Sequence, residues 1–201
     1  MREVIRQRVE SNIGRVRNLI EIYETHLMGK GSGRRGHLET DVLRSATVFL
    51  HASLEDFLRS LAYWKLPEAE KSVIDDIPIV GSEGNAKKFW LGELVEHRGK
   101  SVDELITESV NEYLERSNYN NIDELSNFLN SISIDPARVN SRFSDLSELM
   151  ERRHQIVHRG DIDESGGRGN HRVRSLGRSP ISRWVAAVEE FTAAVLAEVR
   201  T

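Results

Sequence analysis

Apolar residues recur along this chain at steps of three and four, the period of an amphipathic helix, and no stretch alternates with the period of a strand. Ile5, Val9, Ile13, Val16, Ile20, Tyr23 and Leu27 mark one face of a helix expected from about Arg2 to Leu27. Leu43, Ala46, Thr47, Leu50, Leu54, Phe57, Leu58 and Leu61 mark a second long helix, from about Glu39 to Trp64. Pro67 and Pro78 bracket an irregular region, and a short helix is expected over 86–96. Ser101-Val102-Asp103-Glu104 reads as a capping box opening a helix to about Arg116, and another short helix should cover Asn121 to Ser131. Asp135-Pro136 is a further start signal. A helix from Ser144 to Arg159 should close near Gly160, and Ser179-Pro180 should cap a last one carrying Ile181, Trp184, Val185, Val188, Phe191, Val195 and Val199. Glycine-rich loops at about 28–37 and 161–178 are expected to be mobile. The pattern predicts an all-α fold, a helical bundle of four to five main helices plus short helices, in a single domain over residues 1–201.

Composition narrows the function classes. The chain has 201 residues, 38% hydrophobic and 30% charged, enough for a sizeable core and unlike a fibrous or disordered protein. It has no cysteine, which removes disulfides, thiolate nucleophiles and cysteine-ligated metals. No run approaches the roughly 20 apolar residues of a membrane span, and the start of the chain lacks a signal-peptide pattern. A cytoplasmic protein without membrane partners is expected. The net charge of -4 argues against indiscriminate coating of nucleic acid, which depends on neutralising many phosphates. Yet 22 of the 28 basic residues are arginine, whose planar fork grips phosphate or carboxylate in a bidentate way.

The helix ending near Gly160 carries the candidate chemistry. At 100° per residue, Leu146, Leu149, Met150, Ile156 and Val157 fall within about 60° of one direction, and Arg153 lies near the centre of that cluster. A guanidinium cannot shed its proton to escape burial, so it needs an anion, an interface or a wet cleft, or else it snorkels. His154 and His158, four residues apart, should project together from an adjacent face. His158 also sits in the last turn, where helix-end carbonyls favour a positive charge and suit an imidazole that both donates and accepts a proton.

Arg153-His154-Gln155-Ile156-Val157-His158 resembles the R-x4-H motif of the HEPN superfamily, including a polar residue directly after the arginine. The earlier helix with His51-Ala52-Ser53-Leu54-Glu55-Asp56-Phe57-Leu58-Arg59, together with Met150 to Arg159, is similar to the RiboL-PSP-HEPN branch, and the resemblance runs from about Leu38 over nearly the whole chain. It implies a metal-independent endoribonuclease of toxin or phage-defence type, without cofactor, working as a homodimer whose two motifs face one cleft. In that scheme one His158 assists attack of a ribose 2′-hydroxyl on the adjacent phosphate, and the partner's His158 protonates the leaving 5′-oxygen. Arg153 holds the phosphate and stabilises charge in the transition state, and His154 positions the phosphate or Arg153. The implied products are a 2′,3′-cyclic phosphate and a 5′-hydroxyl. Many nucleases of the family carry tyrosine two residues after the motif histidine, where this chain has Gly160.

Glu55 and His51 are supporting candidates. Glu55 either neutralises Arg153 or orients a histidine, or it forms an ordinary surface pair with Arg59. Between Arg152 and Arg183 stand eight arginines against Asp161, Asp163 and Glu164. Arg152, Arg159, Arg168 and Arg172 are the expected contacts to an RNA backbone, against the alternative of a merely solvated loop. A competing reading is a non-catalytic dimeric module that binds nucleotide, RNA or a protein partner, and an antitoxin or inhibitor protein is a further possible partner. A zinc hydrolase would need His154 and His158 plus His51, Glu55 or Asp161, without a His-Glu-x-x-His pattern, so no metal is expected. Asp161 to Gly166 matches half of a calcium loop, but Arg172 stands where a glutamate is required. The glycines from 29 to 36 lack the strand and Gly-Lys-Ser/Thr ending of a phosphate loop.

Overall fold

The computed structural model describes residues 1–28, 37–81, 91–163 and 172–199. Among the described residues seven α-helices stand in the order α1 (Arg2–Ile22), α2 (His37–Lys65), α3 (Lys71–Ile74), α4 (Val102–Arg116), α5 (Ile122–Ser131), α6 (Phe143–Arg159) and α7 (Arg178–Glu198). A π-helical turn, Tyr23–Leu27, carries α1 on to its expected end, and short 3-10 turns occupy Leu66–Glu68, Leu91–His97, Pro136–Arg138 and Asn140–Arg142. The fold is all-α apart from one antiparallel pairing of two-residue strands, β1 (Ile162–Asp163) and β2 (Arg172–Val173), with Ile162 opposite Val173.

The core lies where the apolar stripes of α1, α2, α6 and α7 meet. Ile5, Val9, Ile13 and Val16 turn inward from α1, and Leu43, Leu50, Leu54, Phe57, Leu58 and Leu61 from α2. Helix α2 runs antiparallel to α1: Arg8 bonds Asp56 at 2.6 Å, while seven residues further along α1 the Arg15 guanidinium sits 4.4 Å from the centre of the Phe49 ring. Phe191 of α7 is enclosed by rings from two other elements, edge-on to Phe57 at 6.3 Å and tilted to Phe143 at 6.0 Å. Helices α4 and α5 close one end through Val110, Leu114, Leu125 and Leu129.

The helix starts obey local chemistry. Ser101 accepts from the Glu104 amide and Glu104 accepts from the Ser101 amide, so the capping box forms as expected. Asn121 caps α5 by accepting from the Glu124 amide at 2.8 Å. Asp135 accepts from the Ala137 amide, but only one 3-10 turn follows it. The last helix departs from expectation: it begins at Arg178 after Gly177, so Ser179 and Pro180 lie inside its first turn, where a proline has no amide to lose. The loop expected at 161–178 is ordered at both ends by β1 and β2, while 164–171 lies outside the described residues. So do 29–36 of the first glycine-rich loop and 82–90, which hold half of the short helix expected over 86–96; its remainder is 3-10. Helix α3 was not foreseen. No helix among the described residues is long and apolar enough to cross a membrane.

Phe191→Ala should lower stability by about 3–5 kcal/mol, because the two remaining rings, Phe57 and Phe143, cannot close the gap it leaves. Denaturant titration of the native and substituted proteins measures this.

Candidate active site

Helix α6 is amphipathic along its first three turns, with Leu146, Leu149 and Met150 buried. Its final turns carry the motif. Arg153 is half-buried beside α2, whereas His154 and His158 are exposed, with ring centres 4.8 Å apart. Val157, placed by its spacing on the apolar face, is 47% exposed, because the end of α6 runs past the helices that cover its start. Arg153, His154 and His158 therefore share one accessible end of the helix. Among the described residues no hydrogen bond or ion pair holds the Arg153 guanidinium.

Across from Arg153, α2 presents His51 and Glu55. His51 is 1% exposed, its Nδ1 lies 3.5 Å from Glu55 Oε2, and neither ring nitrogen has a hydrogen-bond partner. Burial pushes the Glu55 carboxyl up, but the adjacent His51 and the charges of Arg153 and Arg59 outweigh it and hold the group below its ordinary value. Glu55 thus lies within electrostatic reach of both His51 and Arg153. The alternative surface pair with Arg59 does not form; Arg59 donates to the Ser117 carbonyl at 3.3 Å.

Arg152 is placed otherwise than its expected role requires. It is only 9% exposed, and its Nη2 donates to Asp161 Oδ2 at 2.8 Å. Arg44 of α2 donates from Nε to the same oxygen at 2.7 Å, so two guanidinium groups close on one carboxylate that is 1% exposed. Asp161 Oδ1 and Arg152 Nε are left without partners. Burial pulls the Arg152 guanidinium below its ordinary range, and Arg174 and Arg44 add to this against the pull of Asp161. The Arg152 side chain is thereby committed inward, because the segment after α6 lies across that flank of the helix and Leu176 is buried there. Arg159 is exposed in the last turn. Nothing of the Arg172 side chain is described, and Arg168 lies outside the described residues.

The chain leaves α6 through two left-handed residues, Gly160 (φ 58°) and Asp161 (φ 57°), whose amides both donate to the Gln155 carbonyl. Gly160 takes this conformation without strain, and a tyrosine in its place would not, which gives the departure from the family's tyrosine a local physical reason. The Asp161 carbonyl accepts from the Arg174 amide at 2.8 Å, and the Arg174 carbonyl accepts from both Arg44 and Arg152. Sequence reasoning missed Arg44. It lies one turn from Thr40 and Val48, off the apolar stripe of α2, and its partner is 117 positions away.

Two hollows flank these elements. A shallow groove of about 420 Å³ runs between α2 and α6, lined by Ser45, Val48, Phe49, Ala52 and Ile156, next to the motif. A larger one of about 960 Å³ lies among α3, α4 and α5; it includes no motif residue, and its charged lining is Asp76, Glu124 and the Glu112–Arg116 ion pair. Among the described residues no three of His, Cys, Asp and Glu cluster as a metal would require.

An all-α bundle whose long second helix backs an Arg153-x4-His158 helix defines a HEPN module, a kind of domain that is often a ribonuclease and typically dimerises and binds RNA. The model of the RiboL-PSP-HEPN family matches residues 11–195, and the chain belongs to that family. No curated protein and no solved structure matches it.

Two measurements follow from this geometry. Because Glu55 is held below the usual 4.5, its ionised form contributes stability in full above about pH 4.5 and loses it as pH falls through the lowered value. Glu55→Gln should therefore be less stable than the native protein at pH 7 and converge with it in acid, as read by denaturation across pH. Asp161→Ala, which leaves the buried Arg152 without its anion and Arg44 with only the exposed Asp41, should cost about 3–5 kcal/mol in the same assay at pH 7.

Proposed function

We propose that the protein is a metal-independent endoribonuclease, of toxin or phage-defence type, that cuts RNA in a cleft formed by two copies of the chain. The observation that carries the reading is the placement of Arg153, His154 and His158 at one exposed end of α6, with no group among the described residues hydrogen-bonded to the arginine. A free guanidinium beside two solvent-facing imidazoles fits a phosphodiester. Arg153 binds the phosphate and opposes the charge that grows on it during in-line attack. One His158 removes the proton from the 2′-hydroxyl, and the partner's His158 gives one to the departing 5′-oxygen. His154, with its ring 4.8 Å from that of His158, positions the phosphate or Arg153. Glu55 and His51 act from behind, limiting how far Arg153 can move.

A second copy is supported by the surface next to the motif. Val48, Phe49, Ala52 and Ile156 form an apolar groove, and the neighbouring Val157 is 47% exposed. Burying these residues across a two-fold axis brings two motifs to one seam and supplies the second imidazole that the chemistry needs. Cytoplasmic action on RNA, and control by an antitoxin or inhibitor protein, belong to the same reading.

The purified protein should cut single-stranded RNA in EDTA and leave 2′,3′-cyclic phosphate and 5′-hydroxyl ends. His158→Ala should lose about 10²- to 10⁴-fold in rate while melting like the native protein. End-group analysis of the products checks both. Saturable RNA binding with no cleavage by the native dimer would instead favour the non-catalytic module.

A further inference from the structure

The nuclease reading accounts for one face of α6. On the opposite flank, Arg174 is the first residue after β2, and its Nη1 donates to the Gln155 side-chain oxygen at 2.5 Å. That partner is a neutral amide, and the Gln155 amide nitrogen in turn reaches Glu151 at 3.3 Å. Among the described residues no carboxylate pairs with Arg174, and the side chain is exposed. Its backbone is fixed at three points: the amide donates to the Asp161 carbonyl, and the carbonyl accepts from Arg44 at 2.9 Å and from Arg152 at 3.3 Å. An exposed cation with a rigid main chain, held beside a helix by a neutral amide, has lost much of the rotamer freedom that normally weakens a surface arginine as a ligand group.

Gln155 places this cation relative to the motif. Residues three apart on a helix are neighbours about 5–6 Å apart, so Gln155 stands beside His158, and the wheel puts His154 next. Around the exposed side of α6 the order is Arg153, His154, His158, Gln155 with Arg174. Two guanidinium groups thus flank the histidine pair.

We propose that Arg174, held by Gln155, is a second phosphate-binding position that takes a backbone phosphate of single-stranded RNA adjoining the phosphate at Arg153. The assignment rests on the nuclease reading for the direction of the strand, but not on catalysis for its binding contribution. The Arg44–Asp161–Arg152 cluster is the mount of this position. It contributes no ligand group, because Asp161 engages both guanidinium groups. Glu151, one turn earlier on the same arc of α6, accepts from the Gln155 amide nitrogen and bounds the phosphate track on the side toward the start of the helix.

The test is binding of a fluorescent 2′-O-methyl RNA oligonucleotide, which cannot be cleaved, across a series of salt concentrations. Arg174→Gln keeps every backbone bond to Asp161, Arg44 and Arg152. It should weaken binding on the order of tenfold near 0.1 M salt and make the slope of log K against log salt shallower by about 0.7, the loss of one phosphate contact on a single strand. Arg174→Lys, which keeps the charge, should restore the slope. Arg116→Gln removes another exposed charge, paired with Glu112 in the last turn of α4, and should leave both quantities unchanged. With cleavable RNA, Arg174→Gln should raise KM by a similar factor and leave kcat within about twofold. Equal binding and slope in the native and Arg174→Gln proteins would overturn the proposal, even if the native enzyme cuts RNA. Native protein that binds the oligonucleotide with the expected loss in Arg174→Gln, yet cuts no RNA, would overturn the nuclease reading and leave this one standing. Native protein that does not bind it defeats both.

Discussion

A carboxylate shut between two arginines decides where the working end of this molecule lies. Asp161 sits just past α6, almost wholly buried, and both Arg44 and Arg152 donate to one of its oxygens. Burying charge is costly unless it is paired, so the chain after α6 cannot lift off without stranding Arg152 and leaving Arg44 only its pair with the exposed Asp41. The cluster therefore ties α6 to the N-terminal half of α2 and sets the two-strand pairing against the same flank. With that flank covered, the final turns of α6 present His154, Val157, His158 and Arg159 to solvent, with Arg153 and Gln155 half-buried beside them.

Two adjacent arginines show what a helical wheel can and cannot tell. By its spacing Arg153 belongs at the centre of the apolar stripe, yet Arg152 is the more deeply buried. The wheel describes one helix against an ideal flat neighbour. It does not contain the segment after α6, which returns across the 152 side. The helices themselves were legible, because each apolar stripe had caps to delimit it: the Ser101 box and the Asn121 cap stand where the residues put them. The residue types of the motif, and the family to which they belong, were legible too. The Asp161 cluster was not, since it joins positions 44, 152 and 161, and no local period links residues 117 apart. Asp161 drew notice only as a third zinc ligand and as the start of half a calcium loop, and its left-handed backbone and two arginine partners leave the calcium pattern without force.

The placement of Glu55 shows how a weakly specific feature gains meaning from its surroundings. On α2 alone, His51, Glu55 and Arg59 form an unremarkable four-residue ladder. In the folded chain Arg59 turns away to the Ser117 carbonyl, His51 is enclosed, and Glu55 lies between His51 and Arg153. A carboxylate set behind an arginine restrains it without hydrogen-bonding it. A tight bidentate pair would occupy the donors that a phosphate needs. The looser arrangement keeps the Arg153 donors open.

That openness bears on why a single chain looks unfinished. The rings of His154 and His158 face each other, Arg153 is held by no hydrogen bond among the described residues, and Val157 is exposed beside the groove of Val48, Phe49, Ala52 and Ile156. Polar groups prepared for a ligand and apolar groups prepared for a protein surface rarely adjoin by chance, since each raises the cost of leaving the other in water. In the proposed reading both are satisfied by one event, the approach of a second copy. The apolar residues leave water, and the space between the motifs becomes less polar, which strengthens the hold of each guanidinium on a shared phosphate. Association and catalysis would then be one equilibrium rather than two, and the monomer would be inactive for the same reason that its surface is incomplete.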